Sequence, residues 1–134
     1  MRVIVDTNIL VSGIFFRPSN PGKIVDLWWE HKFDLVTSEP IYSEVQDTFK
    51  KVAKKIGAEP SLIVKLDESL REYADVVSVT SEANICRDPK DNLILDTAHQ
   101  GKADFIVSGD KDLLVLSKYK GTPILTPKEF LKKF

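Results

Sequence analysis

"VDTNILVSG", residues 5–13, follows directly on Val3 and Ile4, so an apolar run ends abruptly on a carboxylate. A strand that looks fully buried and finishes on Asp6, Thr7 and Asn8 has two readings. Asp, Thr and Asn side chains all bond nearby backbone and favour turns and caps, which makes Asp6 a turn residue. The other reading puts the carboxylate at the strand's carboxyl end to hold something, because open α/β sheets bind their ligands there. What else the chain carries to that edge decides between them.

Outward from this stretch, short apolar runs alternate with longer helical patterns. Residues 2–6 read as a strand. Asn20-Pro21 is an N-cap followed by a first-turn proline, and Ile24, Leu27, Trp28 and His31 follow at helical spacing. Residues 33–37 read as a second strand, and "SEP" at 38–40 opens a helix with Ile41, Val45, Phe49 and Val52 on one face, closed by Gly57. Pro60 restarts a helix striped by Leu62, Leu66, Leu70 and Tyr73. Residues 75–79 form a third strand or extended segment, 87–103 a capped helix ending near Gly101, and 104–110 a strand. Residues 111–119 read as a short helix or turn and 122–126 as the last strand. Thr126 and Glu129 form the capping box of a terminal helix with Pro127 in its first turn. This βαβα order, with strands apolar on both faces, implies a three-layer α/β/α sandwich around a central, mostly parallel sheet. The 134 residues suffice for a single domain, 1–134, with no linker or repeat to divide it.

The net charge of −1 gives no global basic footprint for nucleic acid, so an anionic substrate has to be held by local cations or by metal. Cys86 is alone, which excludes an internal disulfide and fits a reducing cytoplasm. Met1 leads straight into a strand, so no secretory leader is expected, and no apolar run is long enough for a membrane span.

The acids can be placed against the sheet edge. Asp6 ends the first strand. Asp110 follows Ile106-Val107-Ser108-Gly109, and Asp112 stands two residues on. Glu44 lies on the flank of its helix's apolar stripe, and Asp91 shares the inward face of Ile94 and Ala98. Asp96 points the other way and reads as solvated. Each acid has a structural reading of its own: "DPKD" at 88–91, for example, is explained by an Asp88 cap with Asp91 as its reciprocal partner. Together they crowd one edge, with no clear lysine or arginine placed among them, and like charges so close strain a fold. A divalent cation relieves that strain. A carboxylate-rich site without His or Cys suits Mg²⁺ or Mn²⁺. His31 and His99 have no ligand spacing and read as helix residues.

"VDTNILVSG", the glutamate of "YSEV", "RDPKDNLILDTA" and "VSGDKDLL", in that order, resemble the PIN domain over essentially the whole chain, and most of all PIN proteins that are toxins of toxin–antitoxin pairs. The resemblance implies a metal-dependent ribonuclease whose acidic set maps to Asp6, Glu44, Asp91 and Asp110. Asp112 joins it as a metal ligand beside Asp6, Asp91 and Asp110, with Asn8 and Ser108 in support. It also implies RNA as substrate, cleavage leaving a 5′-phosphate, and two protein partners: a second copy of the chain and a cognate antitoxin that blocks the acidic groove.

Candidate RNA contacts are Arg17, Lys90 and Lys111. The basic run Lys50, Lys51, Lys54 and Lys55 is explained by its place at a helix end. Trp28 and Trp29 leave their helix about 100° apart, so one is expected to be only partly buried; an exposed indole there would mark a partner surface. Beside a nuclease of ribosomal or messenger RNA processing without any toxin–antitoxin context, two readings from other classes remain at this point. One is a haloacid-dehalogenase-type phosphatase, in which a second aspartate normally stands where this chain has Asn8. The other is a non-enzymatic α/β domain that merely binds a cation.

Overall fold

Val3, Ile4 and Val5 are buried, as an unbroken apolar run requires of a central strand. They belong to β1 (Arg2–Val5) in a computed structural model that describes residues 1–134. The other strands are β2 (Asp34–Ser38), β3 (Ala74–Val77), β4 (Phe105–Val107), β5 (Lys118–Tyr119) and β6 (Thr122–Leu125). They form one six-stranded sheet in the order β3-β2-β1-β4-β6-β5. Every pairing is parallel except that of β5 with β6. The chain leaves β1 toward β2 and returns to β4 on β1's other side. The strand order therefore reverses between β1 and β4, which opens a crevice at their carboxyl ends.

The helices are α1 (Thr7–Phe15), α2 (Asn20–Trp29), α3 (Glu39–Ile56), α4 (Pro60–Tyr73), α5 (Pro89–Gln100), α6 (Lys111–Leu114) and α7 (Pro127–Leu131). They flank the sheet: α1 packs on α2 and α3, α2 on α7, and α5 on β1 and β2. Trp28, Phe49 and Phe130 are the largest fully buried side chains of the core. The start of α2 runs tight against α1 because Gly13 and Gly22 have no Cβ; one added there would stand 2.4 Å from the Pro21 carbonyl oxygen and 2.1 Å from that of Arg17. The Thr126–Glu129 capping box is present. No helix is long and apolar enough to cross a membrane.

The structure departs from the sequence reading at several places in the fold, beginning with the cap of α2, which is Ser19 rather than Asn20. Helix α1 was not anticipated, because "TNILVSGIF" is apolar nearly all round and shows no polar face. The two-residue strand β5 is too short to leave a pattern. Helix α2 stops at Trp29, and His31 lies beyond it with φ 60°, in a turn rather than a helix. Asp88 does cap α5 through the Lys90 N–H, but Asp91 does not complete a capping box.

A further departure concerns Asp96, which is buried, not solvated. Residues 78–88, between β3 and α5, run back along α5 as an extended strap. Asn92, Asp96 and Gln100 are spaced four apart, so they form one row on that side of the helix. Asp96 accepts from the N–H groups of Glu82 (3.0 Å) and Ala83 (2.9 Å). Asn92 accepts from those of Ile85 and Cys86, and Gln100 both accepts from and donates to the backbone of Thr80. The row satisfies the strap's backbone much as a neighbouring strand would.

Asp96→Ala removes two of these acceptors and is expected to cost about 1–3 kcal/mol in urea unfolding. A solvated Asp96 would leave stability within about 0.5 kcal/mol.

Candidate metal centre

Asp6 occupies the N-cap position of α1, yet its side chain caps nothing there. It turns instead into the β1–β4 crevice, where the Ser108 hydroxyl donates to its Oδ2 at 2.8 Å. Ser108 is wholly buried just after β4, and its Oγ also accepts from the Asp110 N–H at 3.0 Å. One hydroxyl thereby ties the residue after β1 to the residue that opens α6. Asp110 caps α6 by accepting from the Asp112 N–H at 2.8 Å.

From the other side, α5 projects Asp91 inward in register with Ile94, Leu95 and Ala98, which pack in the core. Helix α3 brings Glu44, half-buried, which accepts from the Thr7 hydroxyl at 3.3 Å. Asp6, Glu44, Asp88, Asp91 and Asp110 line one cavity of about 200 Å³, with Asn8 and Lys90 at its wall. Its lining is almost wholly polar; Ile94 is the one apolar member.

The carboxylates are not equivalent. Oxygens of Asp91, Asp110 and Asp112 all lie within 4.8 Å of one another, close enough to share an ion. Asp6 and Glu44 line the same cavity but stand outside that tight group. Burial, with repulsion from Asp110, Asp88, Asp6 and Asp112, pushes the Asp91 carboxyl up to about 6. Burial also raises Asp6, opposed by the Ser108 hydroxyl and, more weakly, the Asn8 backbone, and reinforced by the charges of Asp110 and Glu44. The ligand set fits a hard cation. It offers three oxygens in reach of a common point, with no imidazole or thiolate among them. The Cys86 thiol is pushed up by burial and by the same acids, which keeps it protonated and a packing group.

Two cations stand among the acids, contrary to the sequence reading. Lys90 Nζ lies 3.4 Å from Glu44 Oε1, and Arg87 Nη2 lies 3.0 Å from each carboxylate oxygen of Asp112. Arg87 was missed although it opens "RDPKDN"; the strap that aims it at α6 leaves no periodic signal. Lys111 is exposed at the start of α6 between Asp110 and Asp112. Arg17 is not at the cavity: it pairs with Asp26 and lies 4.6 Å over the Trp29 ring. Trp28 is buried, and half-buried Trp29 is sandwiched between Arg17 and Lys65, so neither indole offers a free partner surface. A larger groove of about 460 Å³ lies between α3 and α4. Of its two acids, Asp67 and Glu68, the first is already engaged by Tyr42, Gln46 and Arg71.

The PIN domain family model matches residues 2–112. The chain is 34% identical, over an alignment of 146 positions, to "Uncharacterized protein MJ1680" of Methanocaldococcus jannaschii, with all of this chain and 92% of that protein covered. Among solved structures, it is similar to a chain of VapBC2 from Rickettsia felis bound to a DNA fragment from its promoter. The TM-score there is 0.62 at 18% identity, with 94% of this chain and 98% of that one covered. It is also similar to PAE2754 from Pyrobaculum aerophilum, with a TM-score of 0.58 at 15% identity and 98% and 87% covered. At such identities the structures speak for the fold.

Folded Asp91 and Asp6 keep their protons to higher pH than an unfolded carboxyl at the ordinary 3.8. The folded state therefore binds more protons than the unfolded one between about pH 4 and about pH 6, and stability falls as pH rises through that interval. In chelator, Tm is expected to rise as the buffer goes from about pH 7 to about pH 5. Asp91→Asn removes the repelled charge and is expected to stabilise the metal-free protein at neutral pH by about 1–3 kcal/mol while flattening that slope. A lower Tm for Asp91→Asn would make the carboxylate a structural group.

Proposed function

The chain belongs to the PIN-domain family, a family of nucleases, and on that premise we propose that it is a Mg²⁺- or Mn²⁺-dependent endoribonuclease. One observation carries the reading: buried Asp91, in reach of Asp110 and Asp112, faces Asp6 across a polar cavity with no capping role to explain either inner acid.

Asp91, Asp110 and Asp112 would hold the cation, with Asp6 and Glu44 completing the oxygen-rich wall. Such an ion supplies Lewis acidity, making water nucleophilic near neutral pH and offsetting the charge that grows on the phosphate. The chain's own groups do the rest. Ser108 fixes Asp6 and Asp110 relative to each other, so the two strand ends present their acids at a set separation. Thr7 and Lys90 hold Glu44 at the opposite wall. Asn8, exposed at the rim, and the exposed Lys90 and Lys111 offer donors to a phosphodiester backbone. The narrow polar cavity takes a phosphate and sugar edge, and no apolar slot there takes a base.

The same reading makes the chain the toxin of a toxin–antitoxin pair, cytoplasmic and homodimeric, with a cognate antitoxin that covers the acidic cavity. Fold likeness to a chain of the VapBC2 complex supports it. A small DNA-binding antitoxin encoded beside this chain, and neutralising it on co-expression, is the expected companion.

Single-stranded RNA incubated with the protein and Mn²⁺ is expected to be cut internally, and chelator to stop it; a generic phosphatase substrate is expected to survive. Asp6→Asn is expected to lower cleavage by at least about 100-fold with the fold intact by circular dichroism. Millimolar Mg²⁺ or Mn²⁺ is expected to raise Tm, since the ion binds only the assembled pocket. Full activity in Asp6→Asn, or a Tm indifferent to both ions, contradicts the proposal.

A further inference from the structure

Arg87 is the cation that the acidic pocket sets apart. Its backbone is pinned on both sides. Asn92 accepts from the Ile85 and Cys86 N–H groups and donates to the Cys86 carbonyl at 3.0 Å, and Asp88 caps α5 immediately after. Its side chain is nevertheless 87% exposed, hydrogen-bonding to the protein through Nη2 alone, which bonds both oxygens of Asp112. The rest of the guanidinium fork makes no hydrogen bond within the protein. An exposed pair of this kind is held weakly and exchanges readily. Asp112 is also one of the three acids close enough to share an ion. The same carboxylate thus serves two alternative cations, one a side chain on a rigid base and the other a metal. Lys90, the other cation at the wall, pairs instead with Glu44, which stands outside that triad, so an ion held there does not compete for its partner.

We propose that Arg87 is the phosphate-positioning residue of this site: it rests on Asp112 while the triad is empty, and turns its fork to the RNA backbone when Asp112 takes a metal ion. The assignment rests on the nuclease reading above. It follows from geometry: a planar fork with free donors, anchored at its base, stands beside the acids that would flank the scissile phosphate, and such forks grip phosphate oxygens in pairs. Metal and RNA binding then favour one another, because the metal frees the group that the RNA uses.

Mn²⁺ binding to the wild-type protein, Arg87→Gln, Arg87→Lys and Lys111→Gln, measured by calorimetry without RNA, is set beside steady-state cleavage of a short single-stranded RNA. Arg87→Gln is expected to bind Mn²⁺ about threefold more tightly, because its competitor for Asp112 is gone. It is expected to raise KM for RNA about tenfold while kcat changes less than about threefold, the mark of lost ground-state binding. Arg87→Lys is expected to recover a part of the KM loss. Lys111→Gln removes an equal charge beside Asp110 and Asp112 with no hydrogen bond to lose, and is expected to shift Mn²⁺ affinity less. Weaker Mn²⁺ binding by Arg87→Gln, which a merely structural role would produce, overturns the proposal. So does an unchanged KM, or an equal gain in Mn²⁺ affinity from both neutralising variants. A wild-type protein that neither binds Mn²⁺ nor cuts RNA sinks both this assignment and the nuclease reading. One that does both, with Arg87→Gln indistinguishable from it, sinks the Arg87 assignment alone.

Discussion

Asp6 and Asp91 are buried carboxylates that face further negative charge, and the molecule tolerates them at the one place where its strand order reverses. A buried charge normally requires a partner, and a fold free to choose would put an apolar residue at either position. The surroundings relieve only the outer acids: Lys90 answers Glu44, and Arg87 answers Asp112. The inner pair keeps its repulsion, offset at Asp6 by the Ser108 hydroxyl and, to a smaller degree, by the Asn8 backbone. Such an arrangement sacrifices stability to keep negative charge concentrated in a small cavity, the condition under which a divalent ion binds well.

Helix α5 links scaffold to chemistry. Its inner face buries Ile94, Leu95 and Ala98 against β1 and β2, which fixes the depth at which Asp91 enters the cavity. Its outer row, Asn92, Asp96 and Gln100, holds the strap and so aims Arg87 at α6. One helix therefore sets both an inner acid and a cation of the rim. A loosened strap would be felt at the pocket without any change in the sheet.

How much of this was legible in the sequence follows from which signals are local. The parallel sheet was, because strands buried on both faces read as unbroken apolar runs, and those around Ile4 and Val107 do. Strand ends could be placed at one edge from element order alone, and with them Asp6 and Asp110. Helix α1 was not legible because a helix wrapped on every side by protein loses the polar face that periodicity detects. The direction in which Asp96 points was readable from helical geometry, but its environment was not: an irregular strap lies where solvent was expected. Arg87 escaped for the same reason, since the contact with Asp112 spans 25 residues and runs through a segment without periodicity.

The central claim is that acids from separate strands and helices gather at the crevice between β1 and β4 to hold one kind of ligand, a divalent cation. Anomalous diffraction at the manganese edge, from crystals grown with millimolar Mn²⁺, tests it most directly. A peak within about 2.0–2.3 Å of oxygens from Asp91 and Asp110, with the Asp6 side of the cavity closing on it, is the predicted result. A crystal with no peak in that cavity, its acids still held by Ser108, Lys90 and Arg87 alone, would contradict the account.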